Sequence, residues 1–249
     1  MRWTHASLTD RGRRRRRNED ALLVAPERDL YAVADGMGGH AAGDVASQLA
    51  VAALASAVCS PPPAGQDAAG LAAQLRAAVL AAHEAILAEA EAVTSQRGMG
   101  TTLTVCSPLP HEPAAVIAHI GDSRAYRLRA GRLEQLTRDH TWIQNQLDEG
   151  MLTPAQARGH PWSSVLLRVL GGPGDAEPDL YTVDTRPGDL LLLCTDGLSS
   201  VVDGVDLGVL LTQPLPLDAL ATQLVDAALV RGAPDNVSVI LLHAAVPPL

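Results

Sequence analysis

Two similar stretches of the chain decide its fold: residues 30–36 read LYAVADG and residues 190–197 read LLLLCTDG. Each is an apolar run of strand length that ends in an Asp-Gly pair. We therefore expect two buried strands that place Asp35 and Asp196 at strand ends, where their side chains can converge. One isolated Asp-Gly pair is more often a plain turn, because both residues favour turns.

The segments around these two runs predict strands in blocks and helices in blocks. The predicted strands cover residues 21–25, 30–34, 101–106, 114–120, 125–128, 133–136, 180–184, 190–195 and 237–243. The predicted helices cover residues 44–59, 68–93, 141–149, 205–211 and 217–230, with a further helix start at Thr153-Pro154. This order favours an α+β fold over a parallel βαβ sheet. Residues 139–174 break the strand rhythm and predict an insertion over the sheet.

The composition fits a single domain over residues 1–249, because 47% of the residues are hydrophobic and only 19% are charged. The net charge of -9 disfavours binding to nucleic acid or to an anionic membrane. Cys59, Cys106 and Cys194 are too far apart for a zinc or redox motif, so we expect them in the core. Apolar stretches are interrupted before they could cross a bilayer and the N-terminus lacks a signal core, which predicts a cytoplasmic protein.

Acidic residues recur beside apolar segments in several short clusters. The clusters are Asn18-Glu19-Asp20, Asp35-Gly36, Gly121-Asp122-Ser123, and Asp196-Gly197 followed by Asp235-Asn236. A fold that gathers these carboxylates must neutralise them, because unpaired buried charges cost several kcal/mol each. Oxygen-only ligands favour Mg²⁺ or Mn²⁺ over Zn²⁺. The sequence therefore predicts a site for hard divalent cations.

Six motifs, in order along nearly the whole chain, make it resemble the protein phosphatase 2C family of metal-dependent Ser/Thr protein phosphatases in its compact bacterial form. They are Thr9-Asp10-Arg11-Gly12 with Arg15 and Asn18-Glu19-Asp20; Val33 to His40; Gly98 to Thr102; Ile120 to Arg124; Thr195 to Leu198; and Asp235 to Ser238. The resemblance implies a four-layer α-β-β-α sandwich of two antiparallel sheets flanked by helices. Residues 139–174 would form a small flap, and metals would bind in a cleft at one end.

The resemblance also implies the metal ligands and the reaction. Asp35 would bridge two tightly bound Mn²⁺ or Mg²⁺ ions; the implied ligands of these ions are Glu19, Asp35, the Gly36 carbonyl, Asp196 and Asp235. Asp122 would share a weaker third metal with Asp196, although a loop-capping Asp remains an alternative. Asp20 would orient the water that attacks phosphoserine or phosphothreonine directly, without a covalent intermediate.

Two basic side chains complete the implied site. The arginine run at residues 13–17 could be a nucleic-acid patch or a localisation signal. The family places its phosphate-binding arginine three residues before the Asn of Asn18-Glu19-Asp20, which selects Arg15 and leaves the other four as solvated or substrate-rim charges. His40 is a candidate proton donor to the leaving oxygen. The preceding Met-Gly-Gly shifts it from the family position, so contact with substrate alone stays open.

The resemblance implies phosphorylated proteins as partners, including a cognate Ser/Thr kinase and its targets. From the net charge of -9 we expect no nucleic-acid and no membrane partner, and we expect a monomer. The flap departs from the family at Ser164 and Leu167, where many members have Asn and Thr, which leaves substrate preference open. One alternative is a regulatory module that binds phosphoproteins with weak or no turnover; the filled ligand positions speak against it. The other is a nucleic-acid-associated protein, which the net charge of -9 disfavours.

Overall fold

The structure is a computed structural model that describes residues 1–38, 42–58 and 66–245. In chain order the strands are β1 (Arg2–Asp10), β2 (Asp20–Ala25), β3 (Leu30–Met37), β4 (Gly100–Thr101), β5 (Leu103–Pro108), β6 (Ala114–Ile120), β7 (Arg124–Arg129), β8 (Arg132–Gln135), β9 (Asp179–Asp184), β10 (Leu190–Cys194) and β11 (Val237–Ala245). The α-helices are α1 (Gly43–Ala57), α2 (Ala68–Ala92), α3 (Trp142–Asp148), α4 (Pro154–Ala157), α5 (Asp196–Ser199), α6 (Gly204–Leu211) and α7 (Leu217–Val230).

Two antiparallel sheets pack face to face, with helices on both outer faces. One sheet has the strand order β1-β11-β10-β7-β8, and the other has β2-β3-β5-β6-β9 with β4 paired to β3. Side chains alternate between the two faces of each strand. Tyr31 and Leu191 therefore lie between the sheets, while Leu30 packs beneath α1 and α2 and Leu192 beneath α6 and α7. This is the four-layer α-β-β-α sandwich that the resemblance implied.

Burial on both faces explains why the central strands are nearly continuous apolar runs. All five residues of β10 are buried, as are the first six of β11. Helix α2 is long and apolar enough to cross a membrane by length and composition alone, which the interrupted apolar runs did not predict. One of its faces packs in the core, where Leu75, Ala82 and Ile86 are buried. That packing accounts for its apolar composition.

The structure differs from the sequence-based strands in two places that matter for the site. Strand β1 was not predicted, because RWTHASLTD is largely polar and buries only Ala6; it forms by pairing with β11 along its length. Strand β3 continues through Asp35 to Met37, so Asp35 lies within a strand, and Asp196 is the first residue of α5. The expectation that Asp35 ends its strand was therefore wrong in this detail, whereas Asp196 does follow the end of β10.

The flap carries α3 and α4 and is joined to the sandwich by an isolated bridge between Thr101 and Leu170. A second isolated bridge, between Thr141 and Leu166, lies within the flap, and both bridges are antiparallel. Trp142 stacks on His160 with ring centroids 5.2 Å apart. Of the three cysteines, Cys106 and Cys194 are buried free thiols as expected, and Cys59 lies outside the described residues.

Candidate active site

A cleft of about 310 Å³ at one end of the sandwich contains most of the residues that the sequence singled out. Its lining residues are Arg15, Glu19, Asp35, Gly36, Met37, Gly38, Thr102, Asp122, Ser164, Leu166, Asp196 and Asp235. The carboxylates come from both sheets: Asp35 from β3, Asp122 from the turn before β7, Asp196 after β10 and Asp235 before β11. The fold thus gathers side chains up to 220 positions apart, as Arg15 and Asp235 show.

Backbone hydrogen bonds fix Asp35 and leave its carboxylate to the cleft. The Asp35 amide donates to Thr102 Oγ1 at 3.0 Å, and its carbonyl accepts from the Thr102 amide at 2.9 Å and from Thr101 Oγ1 at 2.9 Å. The next residue, Gly36, must be a glycine because α1 begins directly against it. A Cβ at this position would lie 2.0 Å from the Gly43 carbonyl oxygen. Any side chain at position 36 would push α1 away from the site.

Asp20 lies behind the cleft and pairs across the sheet with Asp35. Its Oδ2 accepts hydrogen bonds from Thr195 Oγ1 at 2.9 Å and from Ser238 Oγ at 2.6 Å. Its Oδ1 is buried and has no hydrogen-bond partner among the described residues. Burial raises the pKa of Asp20 to about 7, against the opposing effect of the two hydroxyls.

The carboxylates of the cleft repel one another in a poorly solvated place. Burial first, and then the charges of Asp20 and Asp196, raise the pKa of Asp35 well above its usual value. Burial and the charge of Asp196 raise the pKa of Asp122 to about 8. The pKa of Asp196 is raised by burial and by Asp235, and that of Glu19 chiefly by burial. The cleft therefore holds more carboxylate charge than the cationic side chains around it offset.

The residues present fit divalent cations in their chemistry. Every donor is an oxygen, the buried Asp196 Oδ1 and Asp20 Oδ1 lack partners, and hard cations prefer such oxygens. Among residues 1–38, 42–58 and 66–245, no three His, Cys, Asp or Glu side chains are already arranged as a finished ligand cluster. Asp235 Oδ2 is paired with Arg15, whose Nη2 lies 2.5 Å away.

The buried Asn236 holds the Arg15 loop and Glu19 at the cleft. Its Nδ2 donates to the carbonyl oxygens of Arg11 at 2.8 Å and Arg17 at 2.9 Å, and its Oδ1 accepts from the Glu19 amide at 2.8 Å. Asn236, just before β11, therefore fixes both ends of the loop formed by residues 11–17. Asn236 lies in one of the family motifs, but the local sequence gives no sign of this role, because its partners lie more than 200 positions away.

A buried histidine supports the turn that carries Asp122. His140 Nδ1 accepts from the Gly121 amide at 3.0 Å. Its Nε2 must then carry the proton, which it donates to Asp179 Oδ2 at 3.1 Å. Burial lowers the pKa of His140, which favours this neutral form. His140 is therefore structural, in agreement with the absence of a ligand spacing around it.

Of the residues predicted from the sequence, all metal-ligand candidates and Arg15 line the cleft. Asp20 lies directly behind it. His40 lies outside the described residues, so its role stays a prediction. The sequence did not predict that the hydroxyls of Thr195 and Ser238 hold Asp20 in place. The one hint in the sequence is that each is a polar residue close to an acidic motif.

Comparison with known proteins places this architecture in a family. Residues 9–232 match the profile of the protein phosphatase 2C family. The chain is 44% identical over 237 residues to the serine/threonine protein phosphatase PstP of Mycobacterium tuberculosis, with 95% of this chain and 44% of that protein covered. It is 38% identical over 243 residues to the serine/threonine phosphatase stp of Listeria monocytogenes, with 96% and 95% covered.

Among solved structures, the catalytic domain of PstP in complex with two manganese ions has 40% sequence identity and a TM-score of 0.85, with 98% of this chain and 99% of that chain covered. The chain therefore belongs to the protein phosphatase 2C family. It spans 44% of the length of the mycobacterial relative and nearly all of the Listeria one.

Proposed function

We propose that this chain hydrolyses phosphoserine and phosphothreonine in proteins, with two Mn²⁺ or Mg²⁺ ions as cofactors. The observation that carries the proposal is the convergence of half-buried, unneutralised carboxylates and one arginine in a single cleft. The relatives named above are serine/threonine phosphatases, and one was solved with two manganese ions.

Each side chain of the cleft has a role in this proposal. Glu19, Asp35, the Gly36 carbonyl, Asp196 and Asp235 would hold the two ions, and Asp122 would hold a weaker third with Asp196. When bound, such ions lower the pKa of water and offset charge on the phosphoryl oxygens.

Arg15 and Asp20 act on the phosphate and on the water. The Arg15 guanidinium can bind two phosphate oxygens at once, and it already reaches into the cleft to Asp235. Asp20, fixed through Oδ2 by two hydroxyls, keeps Oδ1 to accept a hydrogen bond from the attacking water. We assign the proton for the leaving oxygen to His40.

Direct attack by water is favoured because Ser123 and the two cysteines among the described residues are buried and unsuited to act as nucleophiles. Ser123 is fully buried and its Oγ shares a hydrogen bond with Thr102 Oγ1 at 2.8 Å. Burial raises the pKa of both the Cys106 and the Cys194 thiol to about 12. The Ser123 hydroxyl and the two thiols therefore cannot form a covalent phosphoenzyme from these positions.

The test is turnover of para-nitrophenyl phosphate and of a phosphothreonine peptide with defined metals. We expect activity with Mn²⁺ or Mg²⁺, loss of activity with a chelator, and no rescue by Zn²⁺, because oxygen-only sites suit hard cations. Undiminished turnover after exhaustive chelation would contradict the two-metal mechanism. Peptide binding without turnover under any metal would instead support the regulatory binding module.

A further inference from the structure

The loop between β1 and β2 carries five consecutive arginines, of which the proposed function uses only the middle one. We call residues 11–17 the arginine loop. Arg15 lines the cleft, and the flanking arginines at positions 13, 14, 16 and 17 are exposed. Arg17 approaches Asp44 at 4.0 Å. Within the described part of the chain, Arg13, Arg14 and Arg16 have no carboxylate within 4.0 Å.

This lack of partners is unusual for the molecule. Most arginines outside the loop form an ion pair, as Arg124 does with Asp139 at 2.6 Å and Arg168 with Asp179 at 2.8 Å. The protein as a whole carries a net charge of -9. The arginine loop is therefore a local concentration of uncompensated positive charge beside the phosphate site, which attracts anionic groups over about a Debye length.

The loop backbone is fixed, so these charges are displayed from a defined place. Asn236 bonds both ends of the run, and the Arg13 amide donates to the Ala233 carbonyl at 3.0 Å. Gly12 has φ +75, and a Cβ there would lie 2.0 Å from the Asp235 carbonyl oxygen. Only glycine suits this close contact. A preorganised loop loses less conformational freedom when it binds a ligand.

We infer that the arginine loop is a subsite for a second anionic group of the substrate, a phosphate or a carboxylate close in sequence to the phosphoresidue being hydrolysed. The inference rests on the proposed function, because Arg15 defines where the first phosphate binds. The Cα atoms of residues 13 and 17 lie at most about 7.6 Å from that of Arg15, two steps of about 3.8 Å. An extended peptide advances about 3.3–3.6 Å per residue, so the second group lies within a few residues of the first.

Guanidinium groups suit this task because they bind phosphate and carboxylate oxygens through charge-assisted hydrogen bonds. A doubly phosphorylated or acidic segment is thereby preferred over a singly phosphorylated neutral one. If the arginines instead only offset the negative potential of the cleft, their removal affects all substrates equally. Selectivity between substrates, rather than the overall rate, therefore decides the matter.

The experiment compares three peptides under Mn²⁺: one phosphothreonine among alanines, the same peptide with a second phosphothreonine three residues away, and the same peptide with glutamates in place of the second phosphothreonine. The test variant is Arg14→Gln/Arg16→Gln, which leaves the backbone bonds of the loop in place. The control is Arg2→Gln/Arg132→Gln, which removes the same charge from two exposed positions at the far end of the sheet. All proteins are normalised by para-nitrophenyl phosphate turnover.

We expect wild type and the control to prefer the doubly phosphorylated peptide, measured as the ratio of its kcat/KM to that of the singly phosphorylated peptide. In the test variant this ratio should fall about 3- to 10-fold, which is the effect of losing one or two exposed charge pairs. Preference for both anionic peptides assigns the subsite to acidic groups in general, and preference for the second phosphate alone assigns it to phosphate. The inference is overturned if wild type has no preference, if the control loses as much, or if all three peptides are affected alike.

Binding measurements separate this inference from the proposed function. If wild type fails to hydrolyse even para-nitrophenyl phosphate, the proposed function fails, and fluorescence anisotropy with the same three peptides still shows whether the loop selects the second anion. A single-stranded oligodeoxynucleotide of equal charge serves as competitor. Tighter binding of that oligonucleotide, dependent on Arg14 and Arg16, would overturn the inference in favour of nucleic acid.

Discussion

Aspartate side chains lie at both ends of the β-sandwich, but in opposite electrostatic environments. At the cleft, burial and mutual repulsion raise the pKa values of Asp35, Asp122 and Asp196. At the other end of β7, roughly 17 Å away at about 3.3 Å per residue, the Arg129 guanidinium lies 2.7 Å from Asp184 and 2.6 Å from Asp189. Hydrogen bonds from Arg129 and Arg127 lower the pKa of Asp184 to about 2.

The comparison shows how to tell a structural carboxylate from one that waits for a ligand. A carboxylate with its own arginine is neutralised within the fold and contributes to stability. Carboxylates gathered without enough arginines are stable only when something positive binds. The following substitutions test this distinction, ordered from the largest expected effect on turnover to the smallest.

Asp35→Asn should lower kcat/KM by about a thousandfold or more, because several kcal/mol of metal stabilisation would be lost with the carboxylate that we propose to hold both ions. The metal-free variant should also unfold at a temperature no lower than wild type, since one repelling charge is gone. Turnover with Mn²⁺ and differential scanning fluorimetry without metal measure both. Asp226→Asn, on the exposed face of α7, is the control; near-normal turnover in Asp35→Asn would place the bridging ligand elsewhere.

Arg15→Ala should reduce kcat/KM for a phosphopeptide about 10- to 100-fold while metal binding persists, because a charge-assisted hydrogen bond contributes about 1.5–3 kcal/mol. Peptide kinetics and calorimetric metal titration are the measurements. On a singly phosphorylated peptide with neutral flanks, Arg13→Ala and Arg17→Ala should cost much less. Equal losses at all three positions would point to a general basic patch.

Asp122→Ala should raise the Mn²⁺ concentration needed for half-maximal phosphopeptide turnover by several-fold and leave two tight metal sites, because the proposed third ion would have few protein ligands. Metal titrations of turnover and of heat, run beside wild type, decide this. Superimposed curves would make Asp122 a loop cap. Loss of a tight site would move Asp122 into the primary pair and call for a new role for Asp235.

Arg129→Ala should leave turnover unchanged and lower the free energy of unfolding by about 2–3 kcal/mol, because Asp189, whose side chain is 2% exposed, would lose its guanidinium partner. That corresponds to roughly 5–10 °C in Tm. Arg132→Ala, exposed and without an ion pair in the described residues, should cost less than about 0.5 kcal/mol. Equal Tm values for the two variants would contradict the claim that carboxylates paired with an arginine stabilise the fold.

Much of this architecture could be predicted from sequence where local pattern decides structure. Strand β6 and helix α7 have the bounds that their apolar patterns predicted. The acidic motifs predicted which carboxylates to look for, and the fold brings them together. Strand β1 escaped prediction because its stability comes from β11 rather than from its own side chains.

The supporting contacts could not be predicted, because they join residues distant in sequence. Thr195 and Ser238 reach Asp20 across 175 and 218 positions, and nothing in their local sequence names that partner. The role of His40, the single domain over residues 1–249, the cytoplasmic location and the monomeric state stay predictions.

The pairing of β1 with β11 determines when β1 can join the sheet during synthesis of the chain. β11 is the hydrogen-bonded neighbour of β1 in the described sheet, and Asn236, just before β11, holds the Arg15 loop. During synthesis at about 5–20 residues per second, the N-terminal strand would wait roughly 10–50 s for its partner to leave the ribosome. A nascent or truncated chain that lacks Asn236 and β11 leaves the backbone around Arg15 and Glu19 unanchored, so we expect the proposed phosphate site to form only after β11 has been translated.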